Sequence, residues 1–298
     1  MDKETGKYNS NTGSGVPLPF RIGLDGKTAV VTGGGGILCA MFAKALAACG
    51  AKVAVLDLRM EPAEKVAASI RADGGKAIAI QVDVLDKASL EDARRIVLEE
   101  FGPCDILVNG AGGNHPKGTT SKEFLSREDL NPTEDVTSFF DLDPDGIGFV
   151  LNLNFLGTLL PSQTFARDMI DRGAVILNIS SMNAFTPLTK IPAYSAAKAA
   201  VSNFTQWLAV HLSKVGVRVN AIAPGFFLTH QNQALLENPD GTPTPRAERI
   251  LANTPMGRFG KEEELVGTLL WLVSNEASGF VSGVVVPVDG GFSAYSGV

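Results

Sequence analysis

From Lys27 to the end of the chain, short runs of β-branched residues alternate with longer, alanine-rich amphipathic runs. This alternation is typical of βαβ units, in which crossover helices cover a parallel sheet. Seven strands are predicted, at Thr28–Thr32, Lys52–Asp57, Ala77–Val82, Ile106–Asn109, Ala174–Ser180, Arg218–Ala223 and Val284–Val288. Helices are predicted to begin near Ile37, Pro62, Ala88, Ile147, Pro192 and Lys261. Because such crossovers are right-handed, the pattern favours an α/β fold with a doubly wound, seven-stranded parallel sheet and helices on both faces.

The chain has 298 residues, a length that suits one large α/β domain. We predict a single domain over residues 21–298, preceded by a flexible polar tail over residues 1–20. Two long segments interrupt the alternation of strands and helices. Since long loops in compact domains are often functional, we predict an insertion at the substrate site over residues 113–146 and a substrate loop over residues 226–255.

Composition and charge exclude several classes of partner. The formal net charge is −6, so the chain lacks the basic footprint of a nucleic-acid binder. No apolar stretch reaches the ~18 residues of a membrane span, and the N-terminus has no apolar signal-peptide core, so no membrane partner is expected. The three cysteines suggest neither a disulfide framework nor a metal cluster. This pattern predicts a cytoplasmic protein and gives no indication of a metal.

A cluster of glycines follows the first predicted strand. Gly33 to Gly36 lead directly into a helix, where glycines let the backbone approach a pyrophosphate and the helix N-terminus stabilises its charge. The next strand ends in Asp57, at the position where a carboxylate hydrogen-bonds the adenosine ribose. A carboxylate there would repel a 2′-phosphate, so NAD is favoured over NADP, although the nearby Arg59 weakens the distinction.

Further cofactor contacts are predicted where the neighbouring strands end, because open α/β sheets bind ligands at the carboxyl ends of their strands. These residues are Leu58, Asp83, Val84, Asn109, Ala111 and Gly112. The Asp83 carboxylate is positioned to accept a hydrogen bond from the adenine amino group, and the small residues leave room for the cofactor. Asn109 could equally tie adjacent strands together.

A candidate catalytic pair lies in a later helix. Tyr194 and Lys198 are four residues apart, which places both on one helix face. A tyrosine is a poor base near neutral pH, and an ammonium nearby would favour its phenolate. Ser181 lies at the carboxyl end of the preceding strand, and Asn154 lies on the helix before that strand.

Together, the stretches TGGGGI, NGAG, NFLG, Ser181, YSAAK, PGFFLT and VDGG resemble the short-chain dehydrogenase/reductase family, in that family's order. The resemblance covers about residues 24–298 and implies a Rossmann fold. It implies that Tyr194 is the general acid in carbonyl reduction and the base in alcohol oxidation. Lys198 would bind the nicotinamide ribose and lower the tyrosine pKa. Ser181 would hold the reacting oxygen of the substrate, and Asn154 would hold a water in a proton relay through Lys198.

The resemblance also implies cofactor contacts at both ends of the sheet's binding edge. Thr229 would bind the nicotinamide carboxamide in a pocket shaped by Pro224 and Gly225. The glycine-loop contacts would be Gly33, Gly35, Gly36 and Ile37. The family pattern T-G-x-x-x-G-x-G fits this loop only with a one-residue deletion, which makes Gly36 the second glycine and puts Leu38 where the third belongs.

The predicted insertion begins with basic and polar residues. Asn114, His115 and Lys117 stand beside the NGAG motif, whereas the acidic residues of the insertion all come later. We expect these three side chains to face the cleft and to recognise an anionic, polar substrate, because charge-assisted hydrogen bonds bind carboxylates well. The alternative is a surface loop whose basic residues are solvated.

Two segments around the catalytic residues carry further polar candidates. Asn183 follows the catalytic serine and is a candidate for binding sugar hydroxyls, and Lys190 is a candidate for binding a carboxylate. Either residue could instead be structural. His230 and Gln231 are additional candidates on the substrate loop.

Longer stretches, including NGAGGNHPKGTT and VPVDGGFSAYSGV, resemble one branch of the family, the D-mannonate oxidoreductases or fructuronate reductases of bacterial hexuronate catabolism. This resemblance implies the reaction D-fructuronate + NADH + H⁺ ⇌ D-mannonate + NAD⁺. The alternatives are another polyol or sugar-acid dehydrogenase, such as a gluconate dehydrogenase, and a non-catalytic NADH sensor. A 3-oxoacyl thioester reductase fits less well, because the insertion would cover its open cleft. Family members assemble as homotetramers or homodimers, which would pair the helices that begin near Ile147 and Pro192.

Overall fold

The protein is described by a computed structural model that covers residues 22–131, 135–229 and 236–297. The predicted tail, His230 and Gln231 lie outside the described residues. The strands are β1 (Thr28–Thr32), β2 (Lys52–Asp57), β3 (Lys76–Gln81), β4 (Ile106–Asn109), β5 (Val175–Ile179), β6 (Arg218–Pro224) and β7 (Val285–Val288). They form one seven-stranded sheet in the order β3-β2-β1-β4-β5-β6-β7, and every neighbouring pair is parallel. The predicted α/β fold is therefore confirmed.

The helices are α1 (Ile37–Ala48), α2 (Met60–Ala72), α3 (Lys87–Phe101), α4 (Pro144–Leu151), α5 (Gly157–Phe165), α6 (Pro192–His211), α7 (Pro245–Ala252), α8 (Val266–Val273) and α9 (Asn275–Ser278). Helix α4 begins three residues before the predicted start. The Asp143 side chain caps it by accepting a hydrogen bond from the backbone N–H of Asp145, and proline occupies the first helical position. The last predicted helix begins as a 3₁₀ turn and continues as α8.

Side chains from the two faces of the sheet enter two separate cores, because successive strand residues point to opposite faces. Val31 packs with Phe42 of α1 and Leu269 of α8 on one face. On the other face, Val30 belongs to a second core together with Leu90 of α3. Among the residues that the structure describes, no helix is both long and apolar enough to cross a membrane.

The strand order reverses between β1 and β4, which are neighbours in the sheet although β2 and β3 separate them in the chain. Such a reversal opens a crevice at the carboxyl ends of the two strands, and ligands of doubly wound folds bind there. The glycine loop after β1 and the NGAG stretch after β4 both meet at this crevice.

Candidate active site

A cleft of about 560 Å³ opens at this reversal point. Its walls are the glycine loop, the ends of β2 to β6 and one face of α6. The residues predicted as cofactor contacts or catalytic groups that line it are Gly33, Gly36, Ile37, Asp57, Leu58, Asp83, Val84, Ala111, Gly112, Ser181, Tyr194, Lys198, Pro224 and Gly225. The fold therefore gathers residues from widely separated segments around one cavity.

The glycine loop has the shape that a pyrophosphate requires. Gly33 has a left-handed backbone with φ of 63°, and a Cβ on it would lie 2.9 Å from the Ala111 backbone. Gly36 is the N-cap of α1, and no side chain caps the exposed N–H groups of the first turn. The loop can therefore approach an anion closely, and the positive end of the α1 dipole faces it.

The carboxylate of Asp57 is held rigidly at the other end of the loop. One of its oxygens accepts a hydrogen bond from the Gly35 N–H at 3.1 Å, and the other accepts one from the Arg59 N–H at 3.1 Å. Gly35 itself contacts Asp57 and Pro62 instead of lining the cleft. A fixed negative charge at this position suits the two hydroxyls of an adenosine ribose and opposes a 2′-phosphate, so the cleft fits NAD.

Helix α1 packs against β4 in a way that the one-residue deletion did not predict. The deletion places Leu38 at the third glycine position, but Cys39 is the residue that lies against the chain after β4. Cys39 is buried, and a Cβ built on Gly110 would lie only 2.1 Å from its Sγ. Gly110 thus makes room for the thiol, and helix and strand stay close without a glycine on the helix. Burial raises the pKa of the Cys39 thiol to about 12.

The three groups predicted to perform the chemistry lie together at the ends of β5 and α6. The Lys198 ammonium lies 5.6 Å from the centroid of the Tyr194 ring and donates a hydrogen bond to the Ile179 carbonyl at 2.8 Å. Ser181 lines the same cleft as Tyr194. The Ser181 hydroxyl also accepts a hydrogen bond from the Asn183 N–H at 3.2 Å, which fixes the direction of its side chain.

Burial acts in opposite directions on the two titratable groups of this cluster, because it disfavours whichever form is charged. Burial raises the pKa of Tyr194, and the interaction of its phenol with the Ser181 side chain partly opposes that rise. Burial lowers the pKa of Lys198 to about 8. The tyrosine is therefore a protonated phenol at neutral pH, ready to donate.

Asn154 occupies a π-helical turn, Asn152–Leu156, between α4 and α5. Such turns occur frequently at functional sites. Its side chain is fully buried, donates to the Gly113 carbonyl at 2.7 Å and accepts from the Gly113 N–H at 3.2 Å. A second donated bond, to the Val150 carbonyl at 2.8 Å, completes the set. Asn154 therefore anchors the first residue of the insertion beside the cleft, and its role toward a relay water stays a prediction.

Asn109 does not line the cleft and has the structural role considered as the alternative. Its amide donates to the Ser162 hydroxyl and to the Asn178 side-chain oxygen, each at 2.9 Å. Asn178 in turn donates to the Thr205 hydroxyl at 2.9 Å. This buried series of hydrogen bonds joins β4 and β5 to helices α5 and α6. Sequence reasoning missed Ser162, Asn178 and Thr205, because only their contacts across the fold distinguish them from ordinary buried polar residues.

The insertion residues proposed to bind substrate already have partners. The Asn114 amide donates to the Thr119 hydroxyl at 3.0 Å. The His115 Nδ1 accepts the Lys117 N–H at 3.2 Å. The Lys117 ammonium lies 3.1 Å from the carboxylate of Asp143, the N-cap of α4. Substrate binding by these residues stays a prediction, and Lys117 would first have to leave its ion pair.

Asn183 and Lys190 lie on the segment between Ser181 and Tyr194. Asn183 is buried, and its side-chain oxygen has no hydrogen-bond partner among the described residues. The Lys190 carbonyl accepts a hydrogen bond from the Thr120 N–H of the insertion at 2.9 Å. Thr229, predicted to bind the carboxamide, follows the segment after β6 and stays a prediction.

Several residues line the cleft without having been predicted to do so. They are Leu38, Cys39, Arg59, Val82, Gly110, Gly113, Leu153, Ile179 and Ser180. Most of them are sequence neighbours of predicted contacts, at the ends of the same strands or in the first turn of α1. Their position next to a motif was the signal available in the sequence.

Comparison with known proteins assigns the class. The model of the short chain dehydrogenase family matches residues 27–240, so the chain belongs to this family and is an oxidoreductase. An uncharacterized oxidoreductase of Haemophilus influenzae is 60% identical over 276 residues, which cover 92% of this chain and 96% of the relative. Gluconate 5-dehydrogenase of Gluconobacter oxydans is 32% identical over 276 residues, covering 92% of this chain and 98% of the relative.

A solved structure is similar to this chain over most of its length. The crystal structure of a candidate D-mannonate oxidoreductase from Haemophilus influenzae, with NAD bound, is similar with a TM-score of 0.89 and 59% identity. The match covers 93% of this chain and 98% of that protein. The predicted NAD cofactor agrees with this NAD-bound neighbour and with the shape and charge of the cleft.

Proposed function

We propose that this protein is an NAD-dependent oxidoreductase that interconverts D-fructuronate and D-mannonate. The observation that carries the proposal is the placement of Ser181, Tyr194 and Lys198 in the same cleft as the glycine loop and Asp57. The similarity to an NAD-bound candidate D-mannonate oxidoreductase supports the choice of substrate.

A bound nicotinamide would supply or accept the hydride, and side chains of the protein orient the substrate oxygen and transfer its proton. In reduction, the Ser181 hydroxyl orients the ketone oxygen, and Tyr194 donates its phenolic proton to that oxygen as the carbonyl carbon receives the hydride. The raised pKa of Tyr194 keeps this proton in place at neutral pH. Lys198 places a positive charge beside the tyrosine ring, where it stabilises the phenolate left behind. In oxidation the same groups act in reverse.

The experiment is a direct assay of NADH oxidation with D-fructuronate, with D-tagaturonate and 5-keto-D-gluconate as matched keto acids. We expect selective turnover of D-fructuronate. Turnover of 5-keto-D-gluconate alone would favour the second candidate, a gluconate dehydrogenase, which the similarity to gluconate 5-dehydrogenase supports. Tight NADH binding without turnover of any keto acid would leave only an NADH sensor.

We also propose a homotetrameric or homodimeric assembly and a cytoplasmic location. Two surface aromatic residues on α6, Trp207 and His211, stack at 4.7 Å between ring centroids, and such a face suits a helix pair between subunits. The three cysteines are free, as expected in a reducing compartment. Light scattering coupled to size exclusion tests the assembly, and a monomeric mass would contradict it.

A further inference from the structure

The segment that joins Ser181 to Tyr194 forms a contact with the insertion close to the catalytic tyrosine. The backbone N–H of Thr120, in the insertion, donates to the carbonyl of Lys190 at 2.9 Å. Lys190 stands four residues before Tyr194 and next to Ile191, the N-cap of α6. The insertion therefore fixes the backbone at this lysine, four residues before the catalytic tyrosine.

The backbone of Lys190 is left-handed, with φ of 72°. Among the described residues, only one other non-glycine residue, Asp171, has a positive φ, and aspartate tolerates this region through its short polar side chain. A long lysine side chain gains no such local benefit, so glycine would fit this backbone with less strain. Strained conformations of this kind concentrate at functional sites, where the side chain has a use that outweighs the strain.

Two lysines of the insertion are already paired with carboxylates. The Lys117 ammonium is paired with Asp143, and Lys122 is paired with the buried carboxylate of Asp129. Within the part of the chain that the structure describes, the Lys190 side chain has neither an ion pair nor a hydrogen bond, and the residue is partly buried. Lys190, next to the insertion, therefore remains available to an anionic ligand.

We propose that Lys190 binds the carboxylate of the substrate and that the insertion holds it there through Thr120. The proposal deepens the proposed function and rests on it, because it assumes that the substrate is a keto acid. The insertion then contributes to specificity through the backbone of a neighbouring segment, and its own basic residues serve to order it. The carboxylate of an acid bound this way would be held by a charge-assisted hydrogen bond at a set distance from Tyr194.

The test compares Lys190→Met, Lys190→Arg and Lys190→Gly in the full-length protein. Lys214→Met, an exposed lysine at the opposite end of the sheet, is the matched control. We expect Lys190→Met to raise the KM for D-fructuronate roughly 10- to 100-fold, the size expected for loss of a charged hydrogen bond, with little change in kcat or in NADH affinity. Lys190→Arg should keep most of the affinity. The preference for the acid over the neutral ketose D-fructose should fall by the same factor as the affinity.

Lys190→Gly separates a binding role from a structural one. It removes the ammonium and also relieves the left-handed strain, so it should raise KM as Lys190→Met does while raising Tm above that of the wild type. A lysine retained for packing would lower Tm on removal and leave KM unchanged. An unchanged KM in both Lys190→Met and Lys190→Gly would overturn the proposal, as would a KM loss confined to Lys117→Met.

The design keeps the two proposals apart. Turnover of D-fructuronate that is insensitive to Lys190 would leave the proposed function standing and remove Lys190 from it. Turnover of a different keto acid with the same dependence on Lys190 would change the substrate and keep the anion site. If no keto acid is turned over, calorimetry with D-mannonate and the enzyme–NAD complex decides: binding that needs Lys190 supports the site, and no binding overturns it.

Discussion

The two sides of the cleft differ in which part of the residue forms them: backbone groups on the cofactor side and side chains on the other. The cofactor side consists of backbone: glycines with room for no Cβ, a helix N-terminus without a side-chain cap, and one carboxylate, Asp57, held by two N–H groups. On the side where we propose that the substrate binds, side chains of the insertion depend on distant partners, as in the pair of Lys117 with Asp143. A backbone site is constrained by local conformation, whereas a side-chain site is constrained by the whole fold. Cofactor binding should therefore tolerate few substitutions, whereas substitutions on the proposed substrate side should change substrate binding by smaller, varied amounts.

The largest effect is expected for the group that the two sides share. Tyr194→Phe removes the phenolic proton and should lower kcat about 10³-fold, because general acid catalysis contributes that order of rate. The substitution leaves the glycine loop and Asp57 intact, so the Kd for NADH should stay within a factor of about three. Stopped-flow fluorescence of NADH binding, beside steady-state rates, checks both statements. Activity within tenfold of the wild type would remove Tyr194 from the proton transfer.

On the cofactor side, Asp57→Ala should reduce the preference for NADH over NADPH roughly 10- to 100-fold, since the fixed charge repels a 2′-phosphate and hydrogen-bonds the ribose. The ratio of kcat/KM for the two cofactors measures the change. Asp92→Ala removes an exposed carboxylate on α3 and serves as the control. An unchanged ratio would show that Arg59, and not Asp57, sets the preference.

The packing of α1 against β4 gives a prediction about stability. Gly110→Ala places a methyl group 2.1 Å from the Cys39 sulfur, so we expect the free energy of unfolding to fall by about 1–3 kcal/mol. Cys39→Gly in the same protein removes the clash and should restore part of that loss. Urea unfolding of both single variants and the double variant measures the coupling. Strictly additive effects would contradict a direct contact between the two residues.

The smallest predicted effect is a shift of the pH profile. Lys198 has a pKa lowered to about 8, so its ammonium is lost as the pH rises through that value. The pKa of Tyr194 is raised, so its phenol keeps its proton while Lys198 titrates. The rate of ketone reduction should therefore fall above about pH 8, whereas alcohol oxidation, which needs the phenolate, should rise with pH. An arginine keeps its charge at high pH, so Lys198→Arg should move the fall in the reduction rate to higher pH. An unchanged pH profile would assign that fall to another titrating group.

Local sequence patterns predicted part of this site, whereas contacts between distant residues could not be predicted. The glycine loop and the four-residue spacing of Tyr194 and Lys198 are local patterns, and the structure places both around the cleft. The packing of Cys39 on Gly110 could not be predicted, because it joins residues 71 positions apart. A family pattern with a glycine missing shows that something must change, but only the fold shows which atom fills the space.

The insertion was the least predictable region for the same reason. Its basic start favoured an anion site in sequence terms, but the partner of Lys117 lies in the N-cap of α4, 26 residues later. The role of Asn109 was likewise open between cofactor and structure until its two amide hydrogen bonds to α5 and β5 were known. Charges in a sequence indicate what a residue is able to bind, and the fold decides whether that capacity is already used.

Both ends of the insertion are fastened close to the catalytic helices. At its start, Gly113 exchanges hydrogen bonds with Asn154, and a Cβ on Gly146 of α4 would lie 2.5 Å from the Lys117 side chain. The stretch between these two contacts reaches the segment before α6 at Thr120, so we expect a change in its length or composition to act on Lys190 before it acts on Tyr194. Such changes would then alter which substrate is bound and leave the chemistry of proton transfer unchanged.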